Sequence, residues 1–107
     1  MWVVETLNEI VDAELSALPA DIQARFRRIV NLIQSQGLEQ VREPHIKHLE
    51  DRLWEMRMIG RDGIARAIYV TASGRRVVVV RAFVKKTQKT PTRELEMARR
   101  RAKEVER

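Results

Sequence analysis

Arg57, Arg66, Lys85 and Lys86 lie within or at the ends of three β-rich runs, Leu53-Trp54-Glu55-Met56-Arg57, Gly63-Ile64-Ala65-Arg66-Ala67-Ile68-Tyr69 and Ala82-Phe83-Val84-Lys85-Lys86-Thr87-Gln88-Lys89-Thr90-Pro91. An ordinary core strand rarely carries a cation there. A strand fixes its side chains better than a loop, so cations on a sheet suit the grip of a phosphodiester. The chemistry this suggests is RNA cleavage without a metal, in which a ribose 2′-hydroxyl attacks its own neighbouring phosphate. Such a step needs a base, charge stabilisation of the phosphorane-like transition state, and a proton for the leaving 5′-oxygen. Arginine suits the second task because its planar fork pairs with two phosphate oxygens. Lysine serves as the base once nearby cations lower its pKa. Lys85 and Lys86 have Lys89 close by, and Arg66 as a candidate neighbour. The same lysines also read as plain exposed strand-end residues, and the sequence leaves both readings open.

Strand alternation sorts the side chains around these cations. Trp54, Met56 and Met58 share one face of their run, and Glu55 and Arg57 share the other with Leu53. In the last run Val78, Val80, Ala82 and Val84 go together, opposite Arg81, Phe83 and Lys85. The expected result is an open, concave face carrying Glu55, Arg57, Arg81 and Lys85. Arg66 can join it, which turns Tyr69 to the core. Phe83 on that face is the better candidate for stacking on a base, whereas the parity of Trp54 favours core packing. His45 and His48 are of the residue type that can act as acid and base near pH 7. They have no third ligand nearby for zinc, and two histidines in a connector are more often surface or packing residues. The glycines form no phosphate loop and the hydroxyl residues no hydrolase signature. No metal or cofactor is called for.

The elements that must hold these residues follow from periodicity and punctuation. Residues 2–7 read as a strand, and Asn8 can cap a first helix with Ile10, Val11 and Leu15 on its apolar side. Pro19 opens a second helix with Ile22, Phe26, Ile29 and Ile33 as its stripe and Gly37 as terminator. Arg25, Arg27 and Arg28 lie mostly off that stripe and read as a solvated face. Residues 41–51, with Pro44, form a connector. Strands over 53–58, 64–72 and 76–84 then form consecutive antiparallel hairpins through turns at Arg61-Asp62-Gly63 and Ser73-Gly74. Thr90-Pro91 opens a final helix with Leu95, Ala98, Ala102 and Val105 inward.

At 107 residues and 44% hydrophobic, residues 1–107 suit a single domain with one modest core. Lys and Arg number 21 against 15 acidic residues, a net charge of +6, which suits nucleic acid or an acidic protein as partner. With no cysteine there is neither a disulfide framework nor a thiolate metal site. The N-terminus lacks the pattern of a signal peptide, and no apolar run approaches the roughly 20 residues of a membrane span. A cytoplasmic protein without membrane contact is expected.

The three runs, together with Pro44-His45-Ile46-Lys47-His48-Leu49, resemble the RelE/ParE toxin superfamily. Within it they resemble the HigB-type, phage-derived branch of type II toxin–antitoxin systems. Arg-x-x-Tyr followed by Phe-x-Lys-Lys-x-x-x-Thr-Pro is the most specific part, and the likeness covers essentially the whole chain. The resemblance implies a prokaryotic protein with an α+β, RelE-like fold: an N-terminal strand and two helices packed on an antiparallel sheet, with a C-terminal helix. It implies a ribosome-dependent endonuclease that cuts messenger RNA in the A site. The implied partner is a helix-turn-helix antitoxin encoded alongside, and operator DNA is met only through their complex. By position, Arg57 falls at a lysine site of the family, Arg66 at its phosphate-binding arginine, and Lys85 and Lys86 at the basic site ending the last strand. Glu55 stands where RelE itself has a lysine, and no tyrosine follows Lys86 to serve as the acid. His48 and Lys89 are substitutes to consider, and Arg81, Phe83 and Glu55 are candidate RNA contacts beside them. Two alternatives use the same fold: a ParE-like toxin that acts on DNA gyrase and cuts nothing, and a catalytically degenerate domain that binds nucleic acid or antitoxin.

Overall fold

The computed structural model describes residues 1–86 and 89–106. Thr87 and Gln88, inside the last motif, lie outside the described residues. The chain runs β1 (Val3–Thr6), α1 (Glu9–Ser16), α2 (Ala20–Gln36), a short 3-10 turn (Leu38–Gln40), β2 (Ile46–Glu50), β3 (Leu53–Ile59), β4 (Ile64–Ala72), β5 (Arg76–Lys85) and α3 (Thr92–Ala102). The fold is α+β. The strands form one five-stranded sheet in the order β1-β5-β4-β3-β2. β1 pairs with β5 in parallel and every other pair is antiparallel, so the sheet is mixed rather than purely antiparallel.

Each face of the sheet carries its own core. On one, Met56, Met58, Ala65, Ala67, Tyr69, Val77 and Val79 pack against Val11 of α1 and Ile22, Ile29 and Ile33 of α2. On the other, Leu53, Ile68, Val70, Val78, Val80 and Phe83 pack against Ala98, Ala102 and Val105 at α3. Asn8 caps α1 as expected, its Oδ1 accepting the Val11 amide at 3.1 Å. Ile10, assigned to the apolar side of α1, is instead 60% exposed, and Val11 makes the contact. Gly37 ends α2 at φ 94°, a backbone region a side chain rarely adopts. At the other end of α2, a Cβ on Gly60 would come within 2.5 Å of Ile22 Cγ1. Asp21 Oδ2 accepts the Arg61 amide at 2.6 Å. The first turn of α2 is thereby pinned to the β3–β4 hairpin.

Two expectations fail for identifiable reasons. Residues 46–50 are the edge strand β2, not a connector; Lys47 pairs with Glu55 and His48 with Trp54 in register. The assignment of Val78, Val80, Ala82 and Val84 to one face fails at a β-bulge. Ile68 pairs with Arg81 while Tyr69 pairs with Val79, so Val80 is the extra residue and the alternation reverses there. Val78 and Val80 therefore face α3, and Ala82 faces the N-terminal helices.

The α3 side is tied down by ions as well as by apolar packing. Arg81 donates to both oxygens of Glu94 on α3, at 2.7 and 3.2 Å, and lies 2.8 Å from Glu14 of α1. Arg101 joins Glu14 at 2.9 Å and donates to the Val80 carbonyl at the bulge. The hydrogen bonds that Glu94 accepts from Arg81 hold the Arg81 pKa above its ordinary value against the opposing effect of burial. Arg52 closes the C-terminal end of α3, donating to the Ala102 and Val105 carbonyls at 3.2 and 3.0 Å. Removing Arg81 leaves the buried Glu94 and the part-buried Glu14 short of a partner, so Arg81→Ala should cost about 3 kcal/mol of stability. Urea denaturation measures this, and a midpoint equal to that of the parent would show the network to be idle.

Candidate active site

The register that builds the sheet also assembles the cations. Arg57 on β3 stands opposite Arg66 on β4, which stands opposite Phe83 on β5. One step along, Lys85 pairs with Ile64. Two arginines directly across from one another repel, and Glu55 answers both. Its Oε2 lies 3.0 Å from Arg66 Nε and 3.7 Å from Arg57 Nε. The nearer contact is an ion pair off the N–H axis, because Arg66 Nε makes no hydrogen bond. Thr90, just ahead of α3, donates its hydroxyl to Glu55 Oε1 at 3.1 Å. Glu55 is thus a buried counter-ion that positions Arg66.

These residues open onto a cleft of about 240 Å³ lined by Arg57, Arg66, Lys85 and Lys86, with Pro44, Ile59 and Ile64 as its apolar walls. Among the described residues no carboxylate lines it. The expected open floor is in fact largely covered: Arg66 is 3% exposed, Lys85 8% and Glu55 2%. Arg57, 32% exposed, and the exposed Lys86 form the rim. Burial is the main influence lowering the Arg66 pKa; the charge of Glu55 opposes it and that of Arg57 adds to it. Lys85 is lowered from its ordinary 10.5, first by burial and then by the charge of Arg66, with Glu55 opposing. A buried lysine beside two guanidiniums gives up its proton more easily than one in water.

Other sequence candidates lie elsewhere. Arg81 is held by Glu94 and Glu14 and is absent from the cleft lining. Phe83 is 7% exposed, packed in the α3 core with the Arg81 guanidinium 5.8 Å from its ring centre, so it presents no stacking surface. Glu55 is covered and cannot touch a ligand directly. His48 sits on the opposite face of the sheet, its ring 4.7 Å from that of Trp54 and its Nε2 2.7 Å from the Asp51 carbonyl. It is remote from the cation cleft and cannot supply an acid there. Trp54 is 37% exposed and, with Trp2, His48 and Tyr69, lines a separate hollow of about 580 Å³. Tyr69, the one tyrosine of the chain, is buried on that far side, and burial drives its pKa well above the usual phenol value. Lys89 is exposed ahead of α3 and is not a lining residue. Pro44, Ile59, Ile64 and Thr90 were not singled out from sequence as site residues, although Pro44, Ile64 and Thr90 fall within the quoted motifs.

The family profile described as "Phage derived protein Gp49-like (DUF891)" matches residues 13–103. The chain belongs to this Gp49-like family. It is a RelE/HigB-like toxin family, and the matched span contains the whole cleft and its supports. No curated protein matches the chain. Among the described residues of this Gp49-like protein, no helix is long and apolar enough to cross a membrane. No group of three or more His, Cys, Asp or Glu among them is arranged to hold a metal ion.

Proposed function

We propose that this Gp49-like protein is the HigB-type toxin of a type II toxin–antitoxin pair, acting in the cytoplasm as an endonuclease on ribosome-bound messenger RNA. The observation that carries this reading is a buried lysine and a buried arginine, Lys85 and Arg66, opening into one cleft with no acidic wall among the described residues. In this reading Lys85 accepts the proton of the 2′-hydroxyl. Arg66 and Arg57 stabilise the charge that builds on the phosphate oxygens. To Lys86, exposed and cationic at the rim, we assign the return of a proton to the leaving 5′-oxygen. A gyrase-directed toxin of the same fold has no use for such a cleft. The toxin's partner is a helix-turn-helix antitoxin, which represses their shared operator as a complex and keeps the toxin off the ribosome.

A pulse of expression without antitoxin tests this in cells. Methionine incorporation should collapse before thymidine incorporation, and primer extension should reveal discrete new 5′ ends inside translated frames. Thymidine uptake falling first, with intact transcripts, would move the protein to the gyrase-directed class.

A further inference from the structure

The cation cleft does not end at Arg57. Pro44, Arg57 and Ile59 also border a second hollow of about 350 Å³, whose remaining walls are Arg25, Arg28 and Ile29 of α2 and His45. Sharing those three residues, the two hollows adjoin and together trace a groove from the end of β5 to α2, with Pro44, Arg57 and Ile59 between its halves. It passes the point where β2 gives out, at the Arg57 amide bonded to the His45 carbonyl at 2.8 Å. Arg25, Arg28, Arg57, Arg66, Lys85 and Lys86 line it, and among the described residues no carboxylate does.

The far end of the groove is built rather than incidental. Residues 25, 28 and 29 fall on one side of a helix, so the buried Ile29 anchors the side that presents the two arginines. Arg27, between them in sequence, points into a different hollow with Leu15, Ser16 and Phe26. The helix is fixed to the β3–β4 hairpin by Asp21 and by the close approach at Gly60. Arg76, Arg81, Arg99 and Arg101 each have a carboxylate partner, whereas Arg25 and Arg28 have none among the described residues. Like charges held near one another without a counter-ion favour an external anion. A groove that bends around a sheet edge suits a flexible single strand better than a stiff duplex.

We infer that Arg25 and Arg28, with His45, form a second phosphate subsite. It holds a flanking phosphodiester of the same single-stranded RNA whose scissile phosphate lies at Arg66 and Lys85. The choice of RNA rests on the proposed function, but binding at the subsite needs no cleavage.

The test is fluorescence anisotropy with fully 2′-O-methylated RNA, which cannot be cut by internal attack, as a dinucleotide and as an octanucleotide. The Arg25→Ala, Arg28→Ala double variant should bind the octanucleotide roughly tenfold more weakly. Its slope of log affinity against log salt should fall by about 0.7, from the one lost phosphate contact on a single strand. Its affinity for the dinucleotide should not change, and Arg27→Ala should behave as the parent. Parental binding by the double variant, or an equal loss in Arg27→Ala, overturns the subsite. So does a double variant that loses only antitoxin, which would give this surface to the protein partner. A parent that binds the octanucleotide but cuts no unmodified messenger overturns the catalytic reading alone. A parent that binds no RNA overturns the subsite.

Discussion

Arg66→Ala is expected to abolish cleavage and to weaken the fold at the same time. Loss of one transition-state contact of this kind costs roughly 10²–10³ in rate. The structural cost arises because Glu55, 2% exposed, then loses the partner 3.0 Å away. Stranding one member of a buried pair costs about 3 kcal/mol; this is the low end of the range, since Arg57 still lies 3.7 Å from the same carboxylate. The position therefore cannot be read from alanine alone. Arg66→Lys keeps the charge and avoids an empty site, but loses the planar fork that can pair with two phosphate oxygens. It should remain folded by circular dichroism while cleaving at least tenfold more slowly. Full activity in folded Arg66→Lys would remove bidentate phosphate binding from the account.

Replacing Lys85 separates charge from basicity. Burial and the nearby guanidiniums lower its pKa from 10.5, so the neutral form that accepts a proton appears at lower pH than for a free lysine. The cleavage rate of the parent should accordingly rise with pH and level off below pH 10.5. Lys85→Arg preserves the positive charge but cannot give up its proton, and should lose roughly 10²–10⁴ in rate together with that pH dependence. Stability follows the same sign. The unfolded chain holds this proton more tightly than the fold does, so charged Lys85 opposes folding at neutral pH. That penalty disappears as pH rises through the folded and then the ordinary value. An unchanged pH–rate profile in Lys85→Arg would show that another group accepts the proton.

The parts of the fold legible in sequence were those set by local pattern. Ile64–Ala72 is the expected strand residue for residue, Asn8 caps α1, and Gly37 ends α2. β2 was hidden because Ile46-Lys47-His48-Leu49-Glu50 carries little β signal by itself; its partner β3 makes it a strand. The bulge at Val80 sits in a run of four valines, where nothing marks which residue is the extra one. Alternation did place Glu55, Arg57, Arg66, Phe83 and Lys85 on one face. It could not reveal that α3 and Thr90 cover that face, which turns Glu55 into a counter-ion and Phe83 into core. Nor could it join Arg25 and Arg28 to the cleft, since that link runs through Arg57 at the sheet edge. Charge type and parity were readable, whereas burial and pairing depend on tertiary contacts.

The most direct test concerns the ends that cleavage leaves. Internal attack by the 2′-hydroxyl gives an upstream fragment ending in a 2′,3′-cyclic phosphate and a downstream fragment beginning with a 5′-hydroxyl. Purified protein, ribosomes and a programmed messenger should yield those ends, and a single 2′-deoxy substitution at the scissile nucleotide should stop the cut. Fragments carrying 5′-phosphates, or undiminished cutting of the 2′-deoxy messenger, would contradict a mechanism built on Lys85 and Arg66.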